Sequence, residues 1–225
     1  MWYAKPTGAY RLSTVEAKSN MTQISAYLSS KGYSHSAVCG VIGNAYAESG
    51  LNPWRWQSDV VNLSAGYGLF QFTPASGYID GCADVNGYAP NLSTDAQTPG
   101  STPSDGLSQL IVFDTNKLLK WVSTCWRSYW DKTKYAELYA MCQTILTNYG
   151  DGSRLSIEQF KAIDSVQYAT LAFLACFEGP ASPNLPPRVV YANTAYDYLY
   201  GSTPPQPGPS TMKKMPIFMM TKYGL

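Results

Sequence analysis

The sequence predicts a mainly α protein, a helical domain with a small β or loop lobe set into it. Three observations carry that prediction. Apolar side chains recur at three- and four-residue spacing in several segments, helix start and stop signals bracket those segments, and one aromatic, glycine-rich stretch between residues 54 and 74 breaks the pattern. A chain of 225 residues is long enough for one ordinary domain with a real core, and residues 1–201 are assigned to it.

Residues 1–19 lack periodicity and read as a lead-in strand or loop, although Ser13 and Glu16 have the spacing of a capping box. Met21, Ile24, Tyr27 and Leu28 mark an amphipathic helix closed by Gly32. The next helix organises the chain. Ala37, Val38, Val41, Ile42, Ala45 and Tyr46 make it largely buried, Ser34 is its N-cap, and Gly50 followed by Pro53 stops it. Glu48 falls in its last turn, where unpaired carbonyls and the negative end of the helix dipole oppose ionisation of a carboxyl. Packed among Trp54, Trp56 and the aromatics from Tyr67 to Phe72, it is also expected to be partly desolvated. A carboxyl kept protonated near neutral pH is a general acid. The alternative is a solvated glutamate at a helix end, since carboxyls are seldom buried.

Residues 54–63 read as a short strand or irregular loop, and residues 80–104, rich in Gly, Pro, Asn, Asp, Ser and Thr, as a long surface loop. Leu107, Leu110, Ile111, Leu118, Leu119 and Val122 predict one long helix. Tyr135, Leu138, Tyr139, Cys142, Ile145 and Leu146 predict another, stopped by Gly150. Ser156 with Gln159 and Asp164 with Gln167 are spaced as capping boxes for two more, the second apolar enough to be central. A last helix runs from near Pro187 to Gly201. Residues 202–211 are a Pro-rich linker by composition, and residues 212–225 form a basic then apolar tail. That tail either packs back on the domain or docks on a virion partner or a membrane surface, and it is too short to span a bilayer.

Sixteen basic against fifteen acidic residues leave a net charge of +1, which gives no charge argument for nucleic acid. Aromatics make up 14% of the chain, including 18 tyrosines and 6 tryptophans, rings that suit either sugar faces or a core. His35 is the only histidine, so zinc peptidase chemistry lacks ligands, and no metal or other cofactor is expected. Cys39 lies four residues after His35, but in an apolar stripe where a thiol stays protonated and inert. The five cysteines show no paired close spacing, so a disulfide framework is not expected, while a single bridge stays open. No basic segment leads into an apolar run at the start, so no secretory signal is read, and release through a lysis pore or delivery on a virion remain as routes.

Glu48-Ser49 followed by Gly68-Leu69-Phe70-Gln71 resembles the Glu-Ser and Gly-Leu-Met-Gln pair of goose-type lysozymes and lytic transglycosylases. The fuller pattern adds Gly50-Leu51-Asn52-Pro53, Gly66-Tyr67, Phe72-Thr73-Pro74 and the late Phe177-Glu178-Gly179-Pro180-Ala181. It is similar to the phage tail lysozyme family over roughly residues 20 to 200. The resemblance implies a lysozyme-like fold with a substrate cleft between lobe and helix. It also implies cleavage of the β-1,4 bond between N-acetylmuramic acid and N-acetylglucosamine in bacterial peptidoglycan, at the virion or the host wall. Glu48 is then the acid, and Gln71 the amide that orients substrate or water, or else a loop-stabilising amide. Ser49, Trp54, Tyr67 and Phe72 shape the walls. Asp59 is favoured over Asp80 as a second carboxylate, a role that relatives of this kind often leave unfilled. Tyr191 resembles the late tyrosine that approaches the glutamate in transglycosylases. Where the family pattern has arginine after its late glutamate, this chain has Gly179, which leaves Glu178 either pairing with Arg188 or bordering the cleft, the pairing being preferred. Two alternatives stand beside hydrolysis: a lytic transglycosylase using the same glutamate, and a non-catalytic virion structural or wall-binding module, with tail proteins as partners through the C-terminal tail.

Overall fold

The computed structural model describes residues 1–81 and 105–201. The expected loop at 80–104 lies almost entirely, and the linker and tail wholly, outside the described residues. Within them the fold is mainly helical: α1 (Thr14–Ser30), α2 (His35–Ser49), α3 (Ala75–Ile79), α4 (Asp105–Asp114), α5 (Ala136–Asn148), α6 (Ile157–Lys161), α7 (Val166–Phe173) and α8 (Pro186–Tyr200). A π-helical turn, Leu174–Glu178, extends α7.

The caps follow from local chemistry. Ser13 and Glu16 close a capping box, so α1 starts there, earlier than its apolar face alone indicates. Ser34 caps α2 by accepting from the Ala37 amide, and Gly50, at φ 62°, ends it in the left-handed conformation that costs glycine little. Ser156 and Gln159 cap α6 as expected, whereas α7 is capped by Ser165 rather than Asp164. Asp164 instead accepts from the Tyr149 hydroxyl.

The helix expected from Leu107 to Val122 ends at Asp114. Tertiary hydrogen bonds override the periodicity beyond that point. Asn116 takes a left-handed conformation and its side chain accepts from the Trp121 amide at 3.1 Å. Val122 donates to the Cys176 carbonyl at 2.7 Å, and the Trp121 indole donates to the Leu155 carbonyl at 2.7 Å. Leu119, counted as apolar face, is 82% exposed.

α2 is the axis of the molecule, packed against α1, α7 and α8. Its glycines set how closely the others approach. A Cβ at Gly40 would lie 2.7 Å from the Ala169 carbonyl carbon on α7, and one at Gly43 would lie 2.4 Å from the Arg188 carbonyl oxygen on α8. At the heart of this contact Asn44 is fully buried and donates to the Gly40 and Thr170 carbonyls at 2.8 and 3.0 Å. Around the far end of α7, Phe70, Phe72, Phe113, Phe173 and Phe177 form a cluster of tilted and edge-to-face rings. The four described cysteines, Cys39, Cys125, Cys142 and Cys176, are buried and free.

The small lobe is irregular. Only the single bridges Trp56 to Tyr67 and Tyr67 to Phe72, and a 3-10 turn at Gln57–Asp59, give it regular structure among the described residues. The lead-in segment is pinned by two asparagines. Asn20 bonds Tyr3 and Leu51, and Asn52 bonds Lys5 and Tyr10.

Gly43→Ala places its methyl carbon inside the α2–α8 contact. It is expected to cost about 1–3 kcal/mol and lower the melting temperature by roughly 3 to 9 °C. Gly77→Ala, whose Cβ would meet nothing nearer than 3.9 Å, is the control and should leave the melting temperature unchanged or slightly raised.

Candidate active site

Glu48 closes α2 with its side chain 21% exposed, and it meets a guanidinium rather than a hydrocarbon wall. Arg188 Nη2, on α8, lies 2.5 Å from its Oε1. The Arg188 side chain is only 9% exposed and its other nitrogen, Nη1, donates to Asn44 Oδ1 at 3.1 Å. One buried cation therefore joins the core asparagine to the glutamate at the helix end. The expected pairing of Arg188 with Glu178 is corrected accordingly: Arg188 bonds Glu48, because the four-residue spacing of Asn44 and Glu48 on α2 puts both on the face that α8 covers.

Glu178 ends the π-helical turn, which Gly179 closes at φ 56°. The residue is half-buried, yet its Oε1 is closed to solvent and has no hydrogen-bond partner among the described residues. Burial first, and then the negative charge of Glu48, push its carboxyl up to about 8, against the pull of Lys120, Arg188 and Arg127. Lys120 places its ammonium 4.8 Å from the centre of the Phe177 ring and 5.4 Å from that of Phe72. Burial pushes Lys120 down, and the charges of Glu178 and Glu48 pull it back. Arg127 donates to the carbonyls of Ala175, Cys176 and Phe177 at 2.7, 2.9 and 3.0 Å, which satisfies the open end of the turn. A Cβ at Gly179 would lie 2.4 Å from Arg127 Nε, so the position after Glu178 has no room for the side chain that the family pattern carries there.

The remaining expected site residues are mostly structural. Ser49 is buried and its hydroxyl donates to the Ala45 and Leu69 carbonyls at 2.9 and 3.1 Å, tying the helix end to the aromatic loop. Trp54, Tyr67 and Phe72 are core residues and offer no face to a sugar. Gln71 spends its amide on the Arg55 and Gly68 carbonyls at 3.0 and 2.9 Å, the loop-stabilising alternative. Asp59 is held by Arg55 at 3.2 Å and accepts from the Gly8 amide at 2.7 Å, a lobe contact rather than a partner of Glu48. Asp80 is exposed beyond the end of α3. Tyr191 lies with its ring centre 4.4 Å from that of Tyr46 on α2.

Sequence reasoning missed the pair that sets the loop. Asp105 and Gln109, one turn apart on α4, are both fully buried. Gln109 accepts from the Leu69 amide at 2.6 Å and donates to the Pro53 carbonyl at 2.8 Å, and its Oε1 would lie 2.4 Å from any Cβ at Gly68. Asp105 accepts from the Tyr67 hydroxyl at 2.5 Å and from the Tyr78 hydroxyl. The available signal was the four-residue spacing of two polar side chains on an otherwise apolar helix.

A mainly helical domain with a glutamate ending its central helix has the architecture of a lysozyme-like protein. A model of the phage tail lysozyme family matches residues 19–199, and the chain belongs to that family. Morphogenesis protein 1 of Bacillus phage B103 is 30% identical over 203 residues, which cover 89% of this chain and 44% of that protein. The chain thus spans less than half the length of this relative. No helix among the described residues is long and apolar enough to cross a membrane.

Burial raises the Asp105 carboxyl to about 6, against the hydrogen bonds from Tyr67, Tyr78 and Gln109. The folded protein therefore keeps a proton that the unfolded chain releases near its ordinary value, and stability falls as pH rises through that window. Asp105→Asn removes the dependence. From about pH 4 to about pH 7 the wild type should lose about 2 kcal/mol relative to this variant, read from urea midpoints.

Proposed function

We propose that this protein cleaves the β-1,4 bond between N-acetylmuramic acid and N-acetylglucosamine in bacterial peptidoglycan, with Glu48 as general acid. The observation that carries the reading is the placement of Glu48 at the partly exposed end of the central helix, fixed by Arg188 and flanked by a second carboxyl in Glu178. Glycosidic cleavage needs one carboxylic acid to protonate the leaving oxygen, and a carboxylate, water or substrate group to complete the reaction. Arg188 holds the Glu48 carboxyl in one position before substrate arrives, so little freedom is lost on binding.

The core positions of Trp54, Tyr67 and Phe72 leave sugar contacts to half-buried groups near the end of α2, among them Tyr46 and Tyr191. Delivery on a virion, with tail proteins met through residues 212–225, fits the family and the sequence of the tail. The name of the B103 relative, a morphogenesis protein, favours a second reading, a virion-assembly component without catalysis.

The test is mass spectrometry of fragments released from purified peptidoglycan by the wild type and by Glu48→Gln. Release of reducing muramic ends, falling at least about 100-fold in the variant, is the expected result. Anhydromuramic ends would instead make the protein a lytic transglycosylase, and no release by the wild type would leave the assembly reading.

A further inference from the structure

Two aromatic side chains are exposed among the described residues, Tyr129 at 58% and Tyr198 at 43%. They are held differently. Lys18 sets its ammonium 4.9 Å from the centre of the Tyr198 ring, whereas no cation among the described residues lies over the ring of Tyr129. Tyr129 is nonetheless fixed. Its hydroxyl donates to the Gly179 carbonyl, and the Trp130 ring meets it almost edge-on with the centres 6.5 Å apart. An exposed ring with its tip tied and one edge packed has given up its rotamer freedom before any ligand arrives.

The tie puts that ring beside the candidate site. Residues 179–185 run from the end of the π-helical turn to α8, whose first turn carries Arg188 and through it holds Glu48. The stretch from Tyr129 to Tyr135 lies along this connection. Besides the bond from Tyr129 to Gly179, the Trp130 indole donates to the Pro180 carbonyl at 2.7 Å, and the Tyr135 and Ser182 hydroxyls bond at 2.8 Å. The neighbouring rings are taken: Lys132 places its ammonium 4.6 Å from the centre of Tyr139, and Lys134 places its own 5.1 Å from that of Tyr135. Tyr129 keeps an open face.

We propose that Tyr129 is a sugar-binding platform, against which one pyranose ring of the peptidoglycan glycan strand lies, away from the bond that is cut. The inference rests on the cleavage reading and adds a subsite to it. A glycan strand reaches well past the bond it loses, so binding energy is available from sugars on either side. The C–H groups on one face of a pyranose suit the negative face of an aromatic ring, while the hydroxyls at its rim stay in water. Tyr129 touches the strand but not the reacting atoms, so it sets affinity and leaves the bond-breaking step alone.

On purified peptidoglycan, Tyr129→Ala should raise the apparent KM about 5- to 10-fold and leave kcat within about 2-fold of the wild type. Tyr129→Phe, which keeps the ring and drops the bond to Gly179, should raise KM by no more than about 2-fold, and Tyr198→Ala should leave it unchanged. An unchanged KM in Tyr129→Ala would overturn the proposal and leave cleavage by Glu48 standing. So would a rise in Tyr129→Phe as large as in Tyr129→Ala, because the hydroxyl would then act only as a brace of residues 179–185. No fragments from the wild type would remove the cleavage reading and this proposal with it. Fluorine NMR of the wild type labelled with fluorotyrosine gives a readout that depends on neither turnover nor the folding of Tyr129→Ala. The Tyr129 signal should move when soluble glycan strands stripped of their stem peptides are added, and a signal that stays in place refutes the sugar contact.

Discussion

The structure depends on one buried cation. Arg188 enters between α2 and α8, bonds Asn44 in the core and reaches Glu48 at the surface end of the same helix. Removing a buried charge's partner leaves that charge uncompensated, at a cost of about 3–5 kcal/mol. The interface and Glu48 are therefore held by the same bonds. Asn44 completes the arrangement, since its amide is already committed to the Gly40 and Thr170 carbonyls and only its oxygen faces Arg188. Three helices, α2, α7 and α8, are keyed to one another by two polar side chains inside an otherwise apolar contact. Gly40 and Gly43 make this geometry possible by letting the neighbouring backbones come within van der Waals reach of α2.

The helices were legible because their signals are local. A capping serine, a periodic apolar face and a terminal glycine act within a few residues, and α2 runs between Ser34 and Gly50 as its sequence states. The segment after Asp114 was not legible for the opposite reason. Leu118 and Leu119 have helical spacing from Leu110 and Ile111, but Val122 and Trp121 find backbone partners on Cys176 and Leu155, far along the chain. No local pattern records a partner more than thirty residues away. The residues of the aromatic loop failed differently. An aromatic beside a presumed active site looks the same in sequence whether it lines a sugar path or fills a core, and here Trp54, Tyr67 and Phe72 fill the core. Glu48 itself was legible in position but not in environment, because the guanidinium that meets it comes from the last helix.

The loop is held by polar groups, one of which, Gln109, the sequence reading passed over. Gln109 bonds the backbone on both sides of the lobe, at Pro53 and Leu69, and Ser49 bonds Leu69 from the helix side. The amide and carbonyl of one residue are thus fixed by α4 and α2 together. Gly68 is a glycine because Gln109 occupies the space beside it and because its φ of 81° suits no other residue so well. The short Gly-Leu-Phe-Gln motif is, in this protein, a device for docking a loop on two helices. Its glutamine braces the loop internally, through the Arg55 and Gly68 carbonyls.

The aromatic cluster links fold to chemistry. Phe72 and Phe177 pack with Phe70, Phe113 and Phe173, and that packing would be much the same with any apolar neighbour at their edge. Their neighbours are instead Lys120 and Glu178, one ammonium on the ring faces and one carboxyl at the end of the π-helical turn. A low-dielectric wall strengthens every charge interaction across it, so a cation and a carboxyl there shift each other far more than they would in water. The wall alone would raise Glu178 without limit of use, leaving a proton that never moves. The cations alone would strip it, leaving an ordinary carboxylate. Only the two together place Glu178 near 8. The π-helical turn is what puts the carboxyl there, because its carbonyls are taken by Arg127 and Gly179 closes it before another side chain can intrude.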